Sequence, residues 1–394
     1  MNVRNVALVG GVTTKFGVRP ATWSELAQEV GAALFRAVPE LRAEEVDSLF
    51  VGAAEPERFA FQSHVAPLAA EQMGLRPSRI IQRTELACAS GQSAIRSAYA
   101  AIASGLSDVA VAVGVEKMNL PSMAEANTAM ACVMDRPWDG PHGATAPPFF
   151  AMVAQRHQLE HGTTDEQMAA VSEKNHRFAN ANPSAQFYEK KFSREKLLHL
   201  PVVAPPLRLG DCSSMTDGAA AVVLVAEERA RRYTDEPAWI RGTGQYSNFH
   251  NLAHAGSLTD WVGLRHAASE AFDRAGIGPD DLDFAEVHDC FTISEIIEYE
   301  MFGWCPPGQG GRFAADGQGD VGGKLVVNPR GGLLGCGHPL GATGVAQAVE
   351  VVQQFQGKVP PARAVPHPEW ALVHNLSGSA NVHSVMVYQR GGAA

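Results

Sequence analysis

One turn of the chain carries a cysteine among small residues, in a setting that suits a nucleophile. Cys88 lies in LACASG, residues 86–91, between a predicted strand and a predicted helix. A thiol at the N-terminus of a helix faces free backbone N–H groups and the positive end of the helix dipole, and both lower its pKa. Cys88 is therefore a candidate nucleophile, although small residues here would also suit close packing of a helix on a sheet.

A second turn carries a histidine among glycines. His338 lies in GCGHPLGATG, residues 335–344, again between a strand and a helix. Glycines let the backbone approach a ligand closely. An imidazole there could accept the proton of a thiol or donate a hydrogen bond to an oxyanion. A purely structural histidine is the alternative.

A third segment, HDCFT at residues 288–292, follows a predicted buried strand and precedes a predicted helix. Open α/β sheets place their active sites at the C-terminal ends of strands, where His288 and Cys290 are expected. A helix N-cap at Asp289 or Thr292 beside a buried thiol would explain the same residues.

Two halves of the chain repeat one order of predicted elements. Each half has an apolar strand, an amphipathic helix, an acidic turn and a second strand, and then a turn of small residues before another helix and strand. The strands are predicted at residues 6–12, 48–52 and 109–115 in the first half and at 238–242, 284–287, 371–373 and 382–388 in the second. Cys88 and His338 occupy equivalent turns, so a pseudo-twofold arrangement would bring them together.

Apolar strands that alternate with helices predict parallel sheets that are covered by helices on both faces. Two such halves, stacked, predict an α/β fold of five layers, α/β/α/β/α. The first half is expected to comprise residues 1–118 and 207–235, because an apolar strand within 217–228 closes it. Residues 119–206 form an inserted loop domain that is expected to hold substrate, and residues 236–394 form the second half.

Composition excludes several classes of protein. The net charge is −10, from 32 basic and 42 acidic residues, and aromatic residues make up only 7%. Neither suits a nucleic-acid-binding protein. The six cysteines lack the spacing of a zinc ribbon, so no metal is expected, and no phosphate-binding GxxxxGK[ST] motif is present. The chain shows neither a signal segment nor an apolar run long enough for a membrane span, so a soluble cytoplasmic protein is expected.

Together these segments resemble the thiolase superfamily over essentially the whole chain. The matching motifs are the Cys88 turn, GVEKM at 114–118, DGAA at 217–220 and GHP at 337–339. Where degradative and biosynthetic thiolases carry Asn-Glu-Ala-Phe, this chain has His288-Asp289-Cys290-Phe291. That motif is similar to those of the sterol-carrier-protein type and the archaeal acetoacetyl-CoA type.

The resemblance implies a dimeric core, either a homodimer or a dimer of dimers, and thioester chemistry on coenzyme A (CoA) and acyl-CoA as substrates, with no permanently bound cofactor. Cys88 would be the acylated nucleophile, and His338 would activate it and help to hold a thioester oxygen. Cys290 would be the second acid/base, and His288 would stand in for the asparagine that anchors an oxyanion-hole water. The backbone N–H of Cys88, with one from the loop near Gly378, would form a second oxyanion hole.

The chain departs from most thiolases at their C-terminal Cys-x-Gly motif. It reads HNLSGS at residues 374–379, with no cysteine. A serine alkoxide at Ser377 would be a far poorer base than a thiolate, which favours Cys290. The other cysteines, Cys132, Cys212, Cys305 and Cys336, are expected to be buried packing residues.

The leading hypothesis is an acyl-CoA:acetyl-CoA C-acyltransferase of lipid metabolism, which works by ping-pong through an acyl-cysteine. One alternative keeps the fold and CoA binding but cleaves a CoA-linked side chain by retro-aldol chemistry, which needs no nucleophilic cysteine. Another is a subunit that is active only with a small OB-fold partner protein.

Overall fold

The structure is a computed structural model that describes residues 3–143 and 145–392. Within these residues the chain forms twelve strands, which are β1 (Val6–Thr13), β2 (Ser48–Gly52), β3 (Ile80–Thr84), β4 (Val109–Glu116), β5 (Val202–Ala204), β6 (Leu207–Arg208), β7 (Gly218–Ala226), β8 (Ala238–Ser247), β9 (Phe284–Glu286), β10 (Val326–Val327), β11 (Trp370–Ser377) and β12 (Val382–Arg390). The α-helices of the same part of the chain are α1 (Trp23–Ala37), α2 (Pro56–Phe59), α3 (Val65–Gln72), α4 (Ser90–Ala103), α5 (Met123–Met130), α6 (Ala146–His161), α7 (Asp165–Asn180), α8 (Arg194–Leu198), α9 (Glu227–Ala230), α10 (Val262–Ala275), α11 (Thr292–Met301), α12 (Gly310–Ala315), α13 (Gly332–Cys336) and α14 (Leu340–Phe355).

The two halves have the same strand topology. Across the sheet the strands run β3-β2-β4-β7-β1 in the first half and β10-β9-β11-β12-β8 in the second. If each half is numbered from its own first strand, both orders read 3-2-4-5-1. The halves meet edge to edge, because β1 and β8 pair through Ala7 with Trp239 and Leu8 with Ala238.

The prediction of parallel sheets was wrong for part of each half. Strand β2 is parallel to β3 and β4, but β7 is antiparallel to both β1 and β4. In the second half β12 is antiparallel to β8 and β11. An apolar strand shows only that both faces are buried and does not fix its direction. A tight turn of residues 378–381 joins β11 to β12, and a connection that short forces an antiparallel hairpin.

The five predicted layers are present. Helices α4 and α14 lie in the middle and pack against the inner faces of both half-sheets. Helices α1 and α3 cover the outer face of the first half-sheet, and α10 and α11, with α6 and α7, cover that of the second. Helix α14 is buried on nearly every side, and its buried polar side chains are hydrogen-bonded: Gln347 donates to Val287 O, and Gln354 donates to Arg363 O.

Residues 119–206 carry helices α5 to α8 and a small sheet of β5 and β6. Helix α7 packs against α13 and α11, so this segment rests on the second half. The predicted bounds at residues 1 and 394 lie outside the described residues. Among the helices that the structure describes, none has the length and apolar character needed to cross a membrane.

Candidate active site

Cys88 lies in a short 3-10 turn, Ala87–Ala89, that leads directly into α4. Ala87 has a φ of +44°, a left-handed conformation that residues with a side chain seldom adopt. The Ser90 hydroxyl stabilises the turn, because it accepts a hydrogen bond from Leu86 N at 2.8 Å and donates one to Ala87 O at 2.7 Å. The thiol is thus held at the start of the helix, as the sequence predicts, and the turn that holds it is strained.

Glycines let the first turns of the two central helices touch. A Cβ on Gly91 of α4 would lie 2.6 Å from Gly341 O of α14, and one on Gly344 would lie 2.5 Å from Gln92 N. Contacts this short leave no room for a side chain. The predicted approach of the Cys88 and His338 turns therefore depends on backbone-to-backbone packing between α4 and α14.

His338 lies between α13 and α14, and its imidazole has a defined tautomer. Its Nδ1 is 2.7 Å from Thr343 Oγ1, and that hydroxyl is 3.0 Å from the carbonyl of Pro339. The hydroxyl has one proton, which it donates to the carbonyl, so it must accept a hydrogen bond from His338 Nδ1–H. The lone pair therefore lies on Nε2, which has no partner among the described residues. His338 Nε2 is a free base at the cavity.

The HDCF segment brings His288 close to Cys88 and His338. A ring nitrogen of His288, the sulfur of Cys88 and a ring nitrogen of His338 all lie within 4.8 Å of one another. The imidazoles of His288 and His338 meet edge to face, with centroids 5.0 Å apart. His288 is fully buried, and neither of its ring nitrogens has a hydrogen-bond partner in the described part of the chain.

A cavity of about 470 Å³ joins these groups. Cys88, Cys290, His338 and Gly378 all line it, so four of the five predicted site residues share one space, and His288 lies behind them. The other walls are mainly apolar and include Asn127, Met130, Pro147, Phe150 and Val203 of the insertion, with Met118, Met215, Phe291, Leu340 and Leu376.

The turn after β11 contributes backbone rather than side-chain chemistry. Gly378 has a φ of +57°, and the backbone N–H groups of Gly378 and Cys88 act on the Cys88 thiol and lower its pKa. Ser377 lines a neighbouring cavity and not the one that holds Cys88. This placement agrees with the preference for Cys290 over Ser377 as the second acid/base.

The expectation of a lowered thiol pKa was wrong for this resting state. Burial raises the pKa of Cys88 to about 12, and the N–H groups of Gly378 and Cys88 only partly oppose it. Burial, and then the nearby Cys88, also raise the pKa of Cys290 well above its usual value. Burial lowers the pKa of His338 to about 3. The helix dipole and N–H groups are outweighed because the thiol is buried.

Two buried carboxylates hold the elements of the site together, and sequence reasoning missed their roles. Asp217 accepts hydrogen bonds from Met118 N at 2.7 Å, Asn119 N at 2.8 Å and Lys117 Nζ at 2.7 Å. Glu116 accepts from Ala54 N at 2.7 Å and, on α14, from Gly341 N at 2.9 Å. The GVEKM and DGAA motifs that contain them therefore position backbone. Thr343 was missed as well, although its place five residues after His338 was a signal.

The other cysteines fall outside the cavity. Cys336 is fully buried and donates to Arg330 O at 3.0 Å, as expected of a packing residue. Cys132, Cys212 and Cys305 are only partly buried, so the expectation of burial was wrong for these three, although Cys212 and Cys305 do pack against the apolar core of the second half. They lie in short turns and loops at the ends of elements, where the chain is partly open to water.

The groups at the cavity suit covalent chemistry on a carbonyl. A thiol, an imidazole base and two backbone N–H groups are the parts needed to form and stabilise a tetrahedral intermediate. By ligand type, Cys88, His288 and His338 could also bind a soft divalent metal.

Two family models match most of the chain. A model described as "Thiolase, N-terminal domain" matches residues 6–228, and one described as "Thiolase C-terminal domain-like" matches residues 244–390.

Relatives and solved structures agree with these matches. The chain is 40% identical to an acetyl-CoA acetyltransferase of Methanothermobacter thermautotrophicus, over 98% of this chain and 100% of the relative. It is 31% identical to sterol carrier protein 2 of Bos taurus, over 99% of this chain and 73% of that protein. A solved structure titled "Ltp2-ChsH2(DUF35) aldolase" aligns with a TM-score of 0.84 at 24% identity, over 98% of both chains, which shows a shared fold.

Proposed function

Because the chain belongs to the thiolase family, we propose that it is an acyl-CoA C-acyltransferase of the acetyl-CoA acetyltransferase type. The observation that carries the proposal is the single cavity lined by Cys88, Cys290 and His338, whose Nε2 is free. Two thiols and one base are what a Claisen condensation through an acyl-enzyme requires.

Acylation comes first. His338 Nε2 takes the proton of Cys88 as the sulfur attacks the thioester carbonyl of an acyl-CoA. The N–H groups of Cys88 and Gly378 stabilise the oxyanion of the tetrahedral intermediate. The intermediate expels the thiolate of CoA, which takes its proton from Cys290. This step leaves an acyl group on Cys88, an imidazolium at His338 and a thiolate at Cys290.

Carbon–carbon bond formation then restores all three groups. The Cys290 thiolate removes an α-proton from acetyl-CoA, and the enolate oxygen lies toward His288 and His338. The enolate carbon attacks the acyl group and displaces the sulfur of Cys88, which takes back its proton from His338. The product is a 3-oxoacyl-CoA, and the same steps in reverse cleave it with free CoA. Both thiols are neutral at the start and at the end of the cycle, and the imidazolium and the thiolate exist only in the acyl-enzyme.

The cavity also suggests which part of the substrate it holds. Apart from histidine, the described lining residues include no side chain that carries a charge. This lining suits an acyl chain and the uncharged pantetheine arm of CoA. The phosphates of CoA would then lie outside, on the surface of the insertion at 119–206 or on a partner.

A thiolysis assay across short-chain, long-chain and sterol-like 3-oxoacyl-CoAs tests the proposal. Wild-type protein is compared with Cys88→Ala and Cys290→Ala, and Cys305→Ala is the control because Cys305 lies outside the cavity. We expect both cavity variants to lose at least about a thousandfold in kcat, because each removes a group that bonds to or exchanges protons with the reacting atoms. Full activity in Cys88→Ala would rule out the acyl-enzyme.

One alternative function has a specific observation in its favour, since the solved structure of similar fold is titled as an aldolase. A retro-aldolase needs a base but no nucleophilic thiol. It would leave Cys88→Ala able to cleave a β-hydroxyacyl-CoA. The presence of two cysteines in the cavity favours acyl transfer instead.

We also propose a homodimer built on the edge strand β3. Strand β3 ends the sheet, and Ile81 on it is 42% exposed. An edge strand with unpaired backbone groups and an exposed apolar side chain is a ready site for pairing with a second copy. A further option is a small OB-fold partner that supplies positive charge for the CoA phosphates, since the cavity itself has no charged side chain apart from histidine.

We further propose the domain bounds given above, a place in lipid metabolism and a cytoplasmic location.

A further inference from the structure

Two buried acceptor atoms face each other next to the active site. Glu298 Oε1 on α11 and His374 Nδ1 on β11 are 3.0 Å apart, and both residues are fully buried. Neither atom has another partner among the described residues. A carboxylate oxygen and an unprotonated imidazole nitrogen would repel at this distance, so a proton must lie between them.

The position of that proton follows from the hydrogen bonds of His383, which contacts the other ring nitrogen of His374. His383 Nε2 on β12 is 3.0 Å from Ala380 O, and a carbonyl only accepts, so Nε2 carries the proton and Nδ1 is an acceptor. His374 Nε2 is 3.2 Å from His383 Nδ1 and must therefore donate to it. A neutral His374 then has its lone pair on Nδ1, and the proton it accepts comes from the carboxylic acid of Glu298.

Burial favours this neutral arrangement. It raises the pKa of Glu298 well above its usual value, and the charges of Glu295 and Asp289 raise it further. It also lowers the pKa values of His374 and His383. The hydrogen bonds then run in one direction, from the Glu298 hydroxyl through both imidazoles to the Ala380 carbonyl.

Each end of this series of hydrogen bonds holds one part of the proposed active site. Glu298 Oε2 accepts the backbone N–H of His288 at 3.2 Å, two residues before Cys290. At the other end, Ala380 has a φ of +56° and lies in the same turn as Gly378. A non-glycine residue in this conformation is strained, and the hydrogen bond from His383 to its carbonyl helps to hold it.

We propose that Glu298, His374 and His383, which we call the buried relay, are positioning residues that fix the HDCF segment relative to the Gly378 turn. The relay rests on the proposed function, because it sets the distance between the second acid/base and the oxyanion-hole N–H. It touches neither substrate nor the reacting atoms. Its effect is on transition-state geometry, so its loss should lower kcat and leave KM nearly unchanged.

Two substitutions of Glu298 separate the relay from simple packing. In Glu298→Gln the amide can donate to His374 Nδ1 and accept from His288 N, as a protonated carboxyl does, so we expect a kcat within about twofold of wild type. In Glu298→Leu both bonds are lost, and we expect kcat to fall by about 10- to 100-fold. His383→Phe should behave like Glu298→Leu, since it frees the Ala380 carbonyl. Tyr388→Phe, a change at a fully buried residue of the same strand, is the control.

The outcomes distinguish this inference from the proposed function. If wild type and Tyr388→Phe show no acyl transfer, the proposed function fails. If wild type is active and folded Glu298→Leu matches it, the positioning role fails. If folded Glu298→Gln is as slow as Glu298→Leu, the proton order is wrong. The ¹⁵N shifts of wild-type His374 and His383 test that order without any variant. We expect two neutral rings protonated at Nε2, and an imidazolium at either position would overturn the proposal.

Discussion

At the residue scale, the reacting groups are neutral before substrate binds. Cys88 is held as a thiol, and His338 is held as a base with its lone pair on Nε2. Many cysteine nucleophiles are instead activated as thiolates by a lowered pKa. Here the proton moves only when the sulfur attacks, and the oxyanion-hole N–H groups offset the cost of the charge that then forms.

This state predicts an unusual pH profile. His338 loses its base function only as pH falls toward its pKa of about 3, and Cys88 ionises only near its pKa of about 12. The single-turnover acylation rate should therefore be flat between about pH 5 and about pH 9 in rapid-quench measurements. An inflection near pH 7 would contradict the flat profile. It would come either from a charged Cys88–His338 pair or from Glu116 or Asp289, whose pKa values burial raises to about 7.

Thr343 should control the tautomer of His338. Thr343→Val removes the acceptor for Nδ1–H and keeps the side-chain shape, so Nε2 is no longer held as the base. We expect kcat to fall about tenfold, the equivalent of roughly 1.4 kcal/mol for one hydrogen bond. Thr343→Ser keeps the hydroxyl and should retain most of the activity. Equal rates in the two variants would remove Thr343 from the account.

At the element scale, the site depends on the contact between α4 and α14. Gly91→Ala would place a Cβ 2.6 Å from the Gly341 carbonyl, and backbone cannot swing aside as a side chain can. We expect the free energy of unfolding to fall by about 1–3 kcal/mol, measured by chemical denaturation, together with a loss of kcat as the Cys88 and His338 turns separate. Gly256→Ala is the matched control, because a Cβ there meets nothing within 4 Å. A fully active and stable Gly91→Ala would contradict the close approach.

The bounds of some elements could be predicted from the sequence, but strand directions and some residue roles could not. Strand β2 was predicted at its observed bounds, because polar residues flank its apolar run. Strand direction was not predictable for β7, since a strand buried on both faces has the same composition in either direction. The roles of Asp217 and Glu116 were hidden too, because a carboxylate that binds backbone N–H groups leaves no mark on the residues it binds.

At the scale of the whole molecule, the internal repeat was readable because both halves have the same order of predicted strands, helices and turns. It predicted that Cys88 and His338 would meet, and the central position of α4 and α14 explains how. The buried relay escaped prediction, because its members lie on three separate elements that only the folded chain brings together. Contacts of this kind arise from tertiary packing, so no periodic pattern in the sequence indicates them.

The proposed dimer gives a prediction at this scale. Ile81→Lys places a charge on the exposed edge of the sheet, which opposes pairing with a second copy. We expect the variant to sediment as a monomer under conditions where wild type sediments as a dimer. Val321→Lys, at a residue that is 46% exposed elsewhere on the surface, should leave the dimer intact. A dimeric Ile81→Lys would place the interface on another face.

The central claim is that Cys88 carries the acyl group and Cys290 moves the second proton. The most direct test is to incubate the protein with acetyl-CoA alone and map the acetyl group by peptide mass spectrometry. The account predicts one hydroxylamine-sensitive acetyl group on the peptide that contains Cys88 in wild type, and none in Cys88→Ala. It also predicts that Cys290→Ala still becomes acetylated but passes the group on far more slowly. An acetyl group on another residue, or carbon–carbon bond formation that persists in Cys88→Ala, would contradict it.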